Sequence, residues 1–128
     1  MKSKERIKKN GEVFTPSWLI NEMLDKLPED AWLPEKKWLE PAAGDGNFVV
    51  EILKRRLALG HDRLQILKTT YAVELMEDNT SIMKSRMLEV LGIDVNDSDY
   101  HVAVEIMDRN IKCGNFLKTD LKELFPDV

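Results

Sequence analysis

The segment Trp38-Leu39-Glu40-Pro41-Ala42-Ala43-Gly44-Asp45-Gly46-Asn47-Phe48 decides the fold of this chain. A short apolar strand leads into an acidic residue, a Gly-Asp-Gly turn and an apolar helical run. Two glycines so close together allow the backbone to turn tightly and to approach a ligand without an intervening Cβ. The same tripeptide also makes ordinary turns, so its place between a strand and a helix carries the prediction of a ligand site.

The charge around the turn indicates the kind of ligand. Glu40 and Asp45 stand on either side of Gly44, and two carboxylates suit a ligand with a positive group better than a bare phosphate. A nucleoside that carries an amino acid has such a group. We therefore predict that the turn binds S-adenosylmethionine.

Apolar periodicity predicts alternating helices and strands from residue 17 onward. Residues 61–69 fit neither pattern clearly, and residues 100–107 fit a strand as well as a helix, of which we favour the helix. Alternation of this kind is typical of a parallel sheet with covering helices, whose ligands lie at the carboxyl ends of the strands. Glu40, Glu74 and Asn115 each follow a predicted strand, so we expect them to converge on one cleft. The predicted elements are helices at 17–27, 48–57, 78–91, 100–107 and 117–124, and strands at 37–40, 71–75 and 110–113.

Three further segments support a family resemblance. With the Gly44 turn, the segments Gly11–Pro16, Tyr71–Leu75 and Cys113–Leu117 resemble, in the same order, the cofactor-binding segments of DNA adenine-N6 methyltransferases of the restriction-modification type. The resemblance covers roughly residues 11 to 120. It implies an α/β, Rossmann-like, S-adenosylmethionine-dependent methyltransferase fold, with a parallel sheet and helices on both faces, truncated after about three strands.

The resemblance implies a role for each candidate residue. Thr15 holds the methionine carboxylate, or caps the helix that follows it. Glu74 accepts the ribose hydroxyls unless it is merely a solvated acid, and Asn115 stands where the family usually has Asp at the adenine amino group. Phe116 covers an adenine face, or is a core residue. The predicted cofactor-binding residues are Phe14, Thr15, Glu40, Pro41, Ala42, Gly44, Asp45, Gly46, Phe48, Glu74, Leu75, Asn115 and Phe116; no catalytic residue and no metal ligand is predicted.

One part of the family pattern is missing. The catalytic loop, Asn-Pro-Pro-Tyr or close to it, should follow the next strand, but the sequence contains no Pro-Pro pair and ends at Val128. We therefore expect the N-terminal, cofactor-binding half of the enzyme, which binds S-adenosylmethionine but does not methylate DNA alone. The alternative is a non-catalytic or regulatory module with the methyltransferase fold. A methyltransferase acting on protein or small molecules is disfavoured by Phe14-Thr15-Pro16, which resembles the DNA enzymes.

Composition limits the remaining possibilities. The length of 128 residues predicts one domain, and the single cysteine is typical of a reducing cytoplasm. The net charge is -4. Residues 1–10 form a basic tail, flexible and solvated or in contact with DNA phosphate, ahead of a core at 11–128. Because the balance is acidic, we expect double-stranded DNA to be bound through missing C-terminal parts or a partner subunit. The first strand should leave an exposed sheet edge, which favours a homo-oligomer.

Several residues are assigned structural roles. Cys113 is predicted to be an inert, buried thiol, and the run Lys54-Arg55-Arg56 a solvated helix face. The tryptophans Trp18, Trp32 and Trp38 are predicted to pack rather than to stack on bases.

Overall fold

A computed structural model describes residues 15–126 of the chain. Phe14 and the tail at residues 1–10 lie outside the described residues. Helices and strands alternate through the described part, as the periodicity predicts. The elements are α1 (Ser17–Asp25), a 3-10 turn (Glu29–Trp32), β1 (Trp38–Glu40), α2 (Asn47–Ala58), α3 (Arg63–Lys68), β2 (Thr70–Glu74), α4 (Glu77–Leu91), α5 (Tyr100–Asn110), β3 (Ile111–Cys113) and α6 (Leu121–Leu124).

The three strands form one parallel sheet in the order β1-β2-β3. Leu39 pairs with Tyr71 at the first interface, and Val73 pairs with Lys112 at the second. The parallel register places the carboxyl ends of all three strands at the same edge of the sheet. This is the α/β arrangement that the sequence predicts.

The two faces of the sheet are covered unequally. Ala72 and Ile111 belong to the main core, which is filled by buried residues of α2, α3, α4 and α5. Successive residues of a strand point to opposite faces, so Tyr71 lies on the other face, where its ring meets Phe125 edge-on at 5.3 Å. Phe125 directly follows α6, which therefore covers part of this second face.

A smaller core joins α1 to α2. It consists of Ile20, Leu24 and Ile52, with Trp32, Trp38 and Phe48 packed against it. The rings of Trp32 and Trp38 lie 4.7 Å apart. The packing role predicted for these two tryptophans is confirmed, whereas Trp18 is 66% exposed, so its predicted packing role is wrong.

Arg56 differs from the expectation of a solvated helix face. It is fully buried, and its guanidinium donates to Ile66 O, Thr70 Oγ1, Thr69 Oγ1 and Pro34 O. Residues 63–68, which the periodicity did not place, form the short helix α3 that covers Arg56. Burial lowers the pKa of the Arg56 guanidinium, which is nevertheless charged because that pKa begins far above neutrality.

Two smaller expectations are also wrong. Cys113 is exposed, because it ends the outer strand β3, where a neighbouring strand lies on one side only. Thr15 does not cap α1, whose N-cap position is occupied by Pro16 without a side-chain hydrogen bond. The hydroxyl of Ser17, the first residue of α1, donates to Glu51 Oε1 of α2 at 2.8 Å.

Within residues 15–126, no helix combines the length and apolar character that crossing a bilayer requires. The same part of the chain contains no group of three or more His, Cys, Asp or Glu side chains arranged to hold a metal ion.

Candidate functional site

The turn after β1 is fastened to the sheet by backbone hydrogen bonds. Ala43 N donates to Val73 O of β2 at 2.9 Å, and Gly46 N donates back to Ala43 O at 3.0 Å. Glu40 Oε1 accepts from Ala42 N at 3.1 Å, so this carboxylate braces the start of the turn. Pro41 and Ala42 are exposed and form the outer surface of the turn.

Gly46 occupies a position that only glycine fits. Its φ is +97°, and an added Cβ would lie 2.8 Å from Met83 Cγ of α4. Gly46 O accepts the hydrogen bond of Val50 N at 2.8 Å, which starts α2 directly after the turn. The turn is therefore packed between the sheet and α4, and the neighbour that requires glycine at position 46 is Met83 rather than a ligand.

The carboxylate of Glu74 lies at the centre of the site. Glu74 is the last residue of β2 and is 6% exposed. Its Oε1 accepts from Gly44 N at 3.1 Å, and its Oε2 accepts from Met76 N at 3.1 Å and from Asn79 Nδ2 at 2.7 Å. A carboxylate offers about four acceptor positions, so the donors among residues 15–126 use three of them and leave one.

The end of β3 joins the same place. Gly114 N donates to Glu74 O at 2.9 Å, which fixes the turn after β3 beside Glu74. Asn115 Oδ1 accepts from Leu117 N at 3.1 Å, so this oxygen shapes the local turn and retains one lone pair. Phe116 is half-buried. The structure thus brings the Gly44 turn, Glu74 and the segment containing Asn115 together.

The other predicted residues surround this centre at different distances. Thr15 O accepts from Asn47 Nδ2 at 3.2 Å, which links the segment before α1 to the first residue of α2. Leu75 is 45% exposed and follows Glu74 directly. Phe48 faces the core between α1 and α2 rather than the strand ends.

Asp45 has a partner that the sequence did not reveal. Arg86 of α4 lies 3.4 Å from Asp45 Oδ1 and forms an ion pair with it. The same guanidinium nitrogen donates to Asp45 O at 3.2 Å and to Asn47 Oδ1 at 2.8 Å. Arg86 therefore neutralises one of the two acids of the turn, and Glu40 is left as the acid without a described cation.

Sequence reasoning also missed Asn79. It is a fully buried residue of the first turn of α4, and the sequence pattern assigned it no role at the site. The available signal was its spacing, since a residue five positions after Glu74 returns to the strand end when a helix starts after a short turn.

A separate cleft lies at the other end of the sheet. It has a volume of about 240 Å³ and is found at the amino ends of β2 and β3, with Tyr71 and Phe125 in its wall and the cations Lys68, Arg109 and Lys112 around it. Lys68 and Arg109 belong to the last turns of α3 and α5, where cations offset the partial negative charge of a helix end. Because Glu74 lies at the carboxyl end of β2, the cleft is separate from the strand-end site.

The fold and the strand-end turn define a class of protein: an α/β protein with a three-stranded parallel sheet covered by helices, consistent with a Rossmann-like methyltransferase fold. Sequence comparison agrees with this class. Over 85 residues, 66% of this chain, the sequence is 31% identical to the type II methyltransferase M.VspI of Vibrio sp. (strain 343), of which 18% is covered. Over 130 aligned positions, 92% of this chain, it is 29% identical to the type II methyltransferase M.PaeR7I of Pseudomonas aeruginosa, of which 22% is covered.

The chain is therefore similar to two type II methyltransferases over most of its own length. It spans about a fifth of the length of the two relatives. No protein-family model and no solved structure matches it.

Proposed function

We propose that this chain is the S-adenosylmethionine-binding part of a DNA adenine-N6 methyltransferase. The observation that carries the proposal is the hydrogen bond from Gly44 N to Glu74 Oε1 at 3.1 Å. It joins the glycine turn after β1 to the acid after β2, which are the two features expected to hold the amino acid and the ribose of the cofactor. The two type II methyltransferase relatives support the same reading.

The amino acid end of the cofactor is assigned to the turn after β1. Because Asp45 is paired with Arg86, Glu40 is the acid available to the cofactor's ammonium group. Ala42 and Gly44 leave room for close approach of the ligand to the backbone. Thr15, fixed to α2 through Asn47, is assigned to the methionine carboxylate, near which the N-terminus of α2 also favours negative charge.

The nucleoside is assigned to the ends of β2 and β3. Glu74 has one acceptor position left, which suits one ribose hydroxyl directly and a second only as a shared bond. Asn115 Oδ1 has a lone pair for the adenine amino group, although a neutral acceptor binds more weakly than the family's usual Asp. Leu75, which is 45% exposed, and Phe116 offer apolar surface to the two faces of the adenine.

The reaction belongs to the complete enzyme. When bound, S-adenosylmethionine would supply an electrophilic methyl group for transfer to the exocyclic nitrogen of a target adenine. This chemistry requires a base turned out of the duplex and positioned by a catalytic loop. The sequence contains no Asn-Pro-Pro-Tyr segment, so this chain contributes cofactor binding and not adenine positioning.

The partners follow from the same division of roles. We propose that DNA is bound by the remaining parts of a complete methyltransferase, on the same polypeptide or on a partner subunit. The open edge of β1 is the candidate junction, because β1 is paired in the described sheet only with β2. In the isolated chain, a second copy is expected to use this edge.

The competing function is a non-catalytic module that binds the cofactor and regulates another protein. Both functions require cofactor binding, so a binding measurement does not distinguish them. If the chain is part of a methyltransferase, adding the catalytic portion of a type II relative should restore DNA methylation. If the chain is a non-catalytic module, the mixture should stay inactive.

Calorimetric titration tests cofactor binding directly. S-adenosylmethionine and S-adenosylhomocysteine should bind to the wild-type chain, and Glu74→Ala should weaken both by at least about tenfold, since hydrogen bonds to charged groups contribute about 1.5–3 kcal/mol. Glu89→Ala, which removes an exposed acid of α4, is the matched control and should bind like the wild type. Absence of binding by the wild-type chain would reject the proposed function.

A methylation assay, with S-adenosylmethionine labelled in its methyl group, tests whether the chain alone can methylate DNA. The chain alone is expected to transfer no label to duplex DNA. Transfer by the 128 residues without any partner would show that adenine positioning resides in this chain.

A further inference from the structure

We infer that Asn79 is a positioning residue that holds the Glu74 carboxylate in the orientation needed by a ribose-bearing ligand. This inference rests on the proposed function, because it concerns the same strand-end site. It assigns a role to a residue for which neither the sequence pattern nor the relatives gave one.

The hydrogen bond between the two side chains is the shortest at the site. Asn79 Nδ2 lies 2.7 Å from Glu74 Oε2, a distance typical of a hydrogen bond to an ionised acceptor. Asn79 is fully buried and Glu74 is 6% exposed. In such surroundings an ionised carboxylate is costly unless donors surround it, and a neutral amide supplies a donor without adding charge.

The arrangement fixes both carboxylate oxygens. Oε2 is held by Asn79 Nδ2 and Met76 N, and Oε1 is held by Gly44 N. Met76 N and Gly44 N are backbone groups, so Asn79 is the side chain among the described donors that a substitution can remove. Without the Asn79 amide, Oε2 keeps one described donor, Met76 N, and the carboxylate can rotate about the Cγ–Cδ bond of Glu74.

A fixed carboxylate binds a hydroxyl better than a mobile one. Ordering a Glu side chain costs conformational entropy, and here the protein orders the side chain before a ligand arrives. The remaining acceptor position then has a defined direction at the strand end, beside exposed Leu75. The contribution of Asn79 to affinity must therefore depend on ligand hydroxyls that meet Glu74.

A purely structural role makes a different prediction. If Asn79 only ties α4 to β2, its loss should weaken every ligand of the site to the same extent. If it acts through Glu74, its loss should weaken a ligand with ribose hydroxyls and leave a ligand without them unaffected. The comparison of two ligands therefore separates the two roles.

The experiment titrates three forms of the protein with S-adenosylhomocysteine and with its 2′,3′-dideoxy analogue. Asn79→Leu removes the amide and keeps the approximate volume. Thr80→Val is the matched control, because Thr80 is also buried, adjoins Asn79 and uses its hydroxyl on Met76 O rather than on Glu74. Asn79→Leu should raise the Kd of S-adenosylhomocysteine about tenfold and change that of the analogue less than about twofold, and Thr80→Val should change neither.

Each outcome decides a separate claim. Equal losses for both ligands, or no loss for S-adenosylhomocysteine, would overturn the role of Asn79 while leaving cofactor binding intact. Failure of the wild-type chain to bind S-adenosylhomocysteine would remove the proposed function and this inference together.

A measurement on the wild-type chain covers the case in which Asn79→Leu does not fold. The side-chain amide resonances of Asn79 should shift when S-adenosylhomocysteine is added and should shift much less with the dideoxy analogue. Identical shifts with both ligands would overturn the inference without any variant.

Discussion

Glu74 Oε1 accepts a hydrogen bond from Gly44 N at 3.1 Å, which ties the acid that ends β2 to the turn that follows β1. The two residues are separated by the whole of α2 and α3. Gly114 N reaches the same residue through Glu74 O. One residue therefore receives donors from the segments after all three strands, and its loss should affect the fold and the ligand site together.

The substitution Glu74→Gln tests this double role. The Gln amide nitrogen cannot accept hydrogen bonds, so at least one of the three donors that face the carboxylate loses its acceptor. We expect the free energy of unfolding to fall by about 1–3 kcal/mol, measured by urea denaturation. The control is Glu77→Gln, at an exposed position of α4, which should change stability by less than about 0.5 kcal/mol. Wild-type stability in Glu74→Gln would contradict the central position of this residue.

Gly46→Ala should be more damaging than Gly60→Ala. Both glycines have left-handed backbones, with φ of +97° and +87°, so each alanine carries a conformational cost of about 1–2 kcal/mol. At Gly46 the new Cβ would also lie 2.8 Å from Met83 Cγ, whereas nothing lies within 4 Å at Gly60. Thermal and urea unfolding should therefore rank the variants as wild type, Gly60→Ala, Gly46→Ala. Equal losses would show that Met83 moves aside without cost.

The strand-end turn was predictable from sequence because its chemistry is local. Gly44 and Gly46 fall between an apolar strand and an apolar helix, and parallel connection then sends the ends of β1, β2 and β3 to one edge. The convergence of Glu40, Glu74 and the Asn115 segment follows from that rule. The cofactor roles of these residues remain predictions, because they depend on a ligand.

The contacts that the sequence did not reveal are long-range. Arg56 reads as a solvated helix cation until α3 is placed over it, and Arg86 reaches Asp45 from a helix 41 positions later in the chain. The hydrogen bond from Asn79 to Glu74 depends on the angle at which α4 leaves β2. Periodicity describes one helix at a time, so it predicts none of these pairings between elements.

Arg56→Ala should cost about 3 kcal/mol or more of unfolding free energy. The substitution removes a buried side chain and leaves Pro34 O without its described donor. It also opens a cavity where the aliphatic stem packed. Lys54→Ala, at an exposed position of the same helix, should cost less than about 0.5 kcal/mol. If both variants unfold at the same urea concentration, the buried position of Arg56 is wrong.

Asp97 should make stability depend on pH in the acid range. The backbone N–H of Asp99 and then the guanidinium of Arg63 hold the pKa of Asp97 below its ordinary value. A carboxylate with a lowered pKa in the folded state stabilises the protein above the unfolded value of about 3.9, and this contribution is lost as pH falls through the lower, folded pKa.

The comparison with Asp97→Asn measures that contribution. At pH 7 the variant should have the lower unfolding temperature, and the difference from the wild type should shrink as pH is lowered below about 4. The control Glu105→Gln, at an exposed position of α5, should follow the wild-type curve. A difference that stays constant from pH 7 to pH 3 would mean that Asp97 is not held ionised by these partners.

The edge of β1 should control self-association. Trp38 N donates to Thr69 O, toward β2, so the backbone groups of Leu39 point to the opposite side, because successive residues of a strand alternate. Leu39 is 43% exposed and adjoins a small apolar cleft lined partly by Tyr71 and Phe125. An unpaired edge next to apolar surface can pair with a strand of another chain.

The isolated chain should therefore form a dimer as its concentration rises in sedimentation velocity experiments. Leu39→Lys should restore the monomer, because a charged side chain opposes edge pairing. The control Leu59→Lys places the same charge at another exposed leucine, beyond α2, and should leave the dimer intact. A wild-type chain that stays monomeric at the highest concentration would mean that this edge does not pair with a second copy.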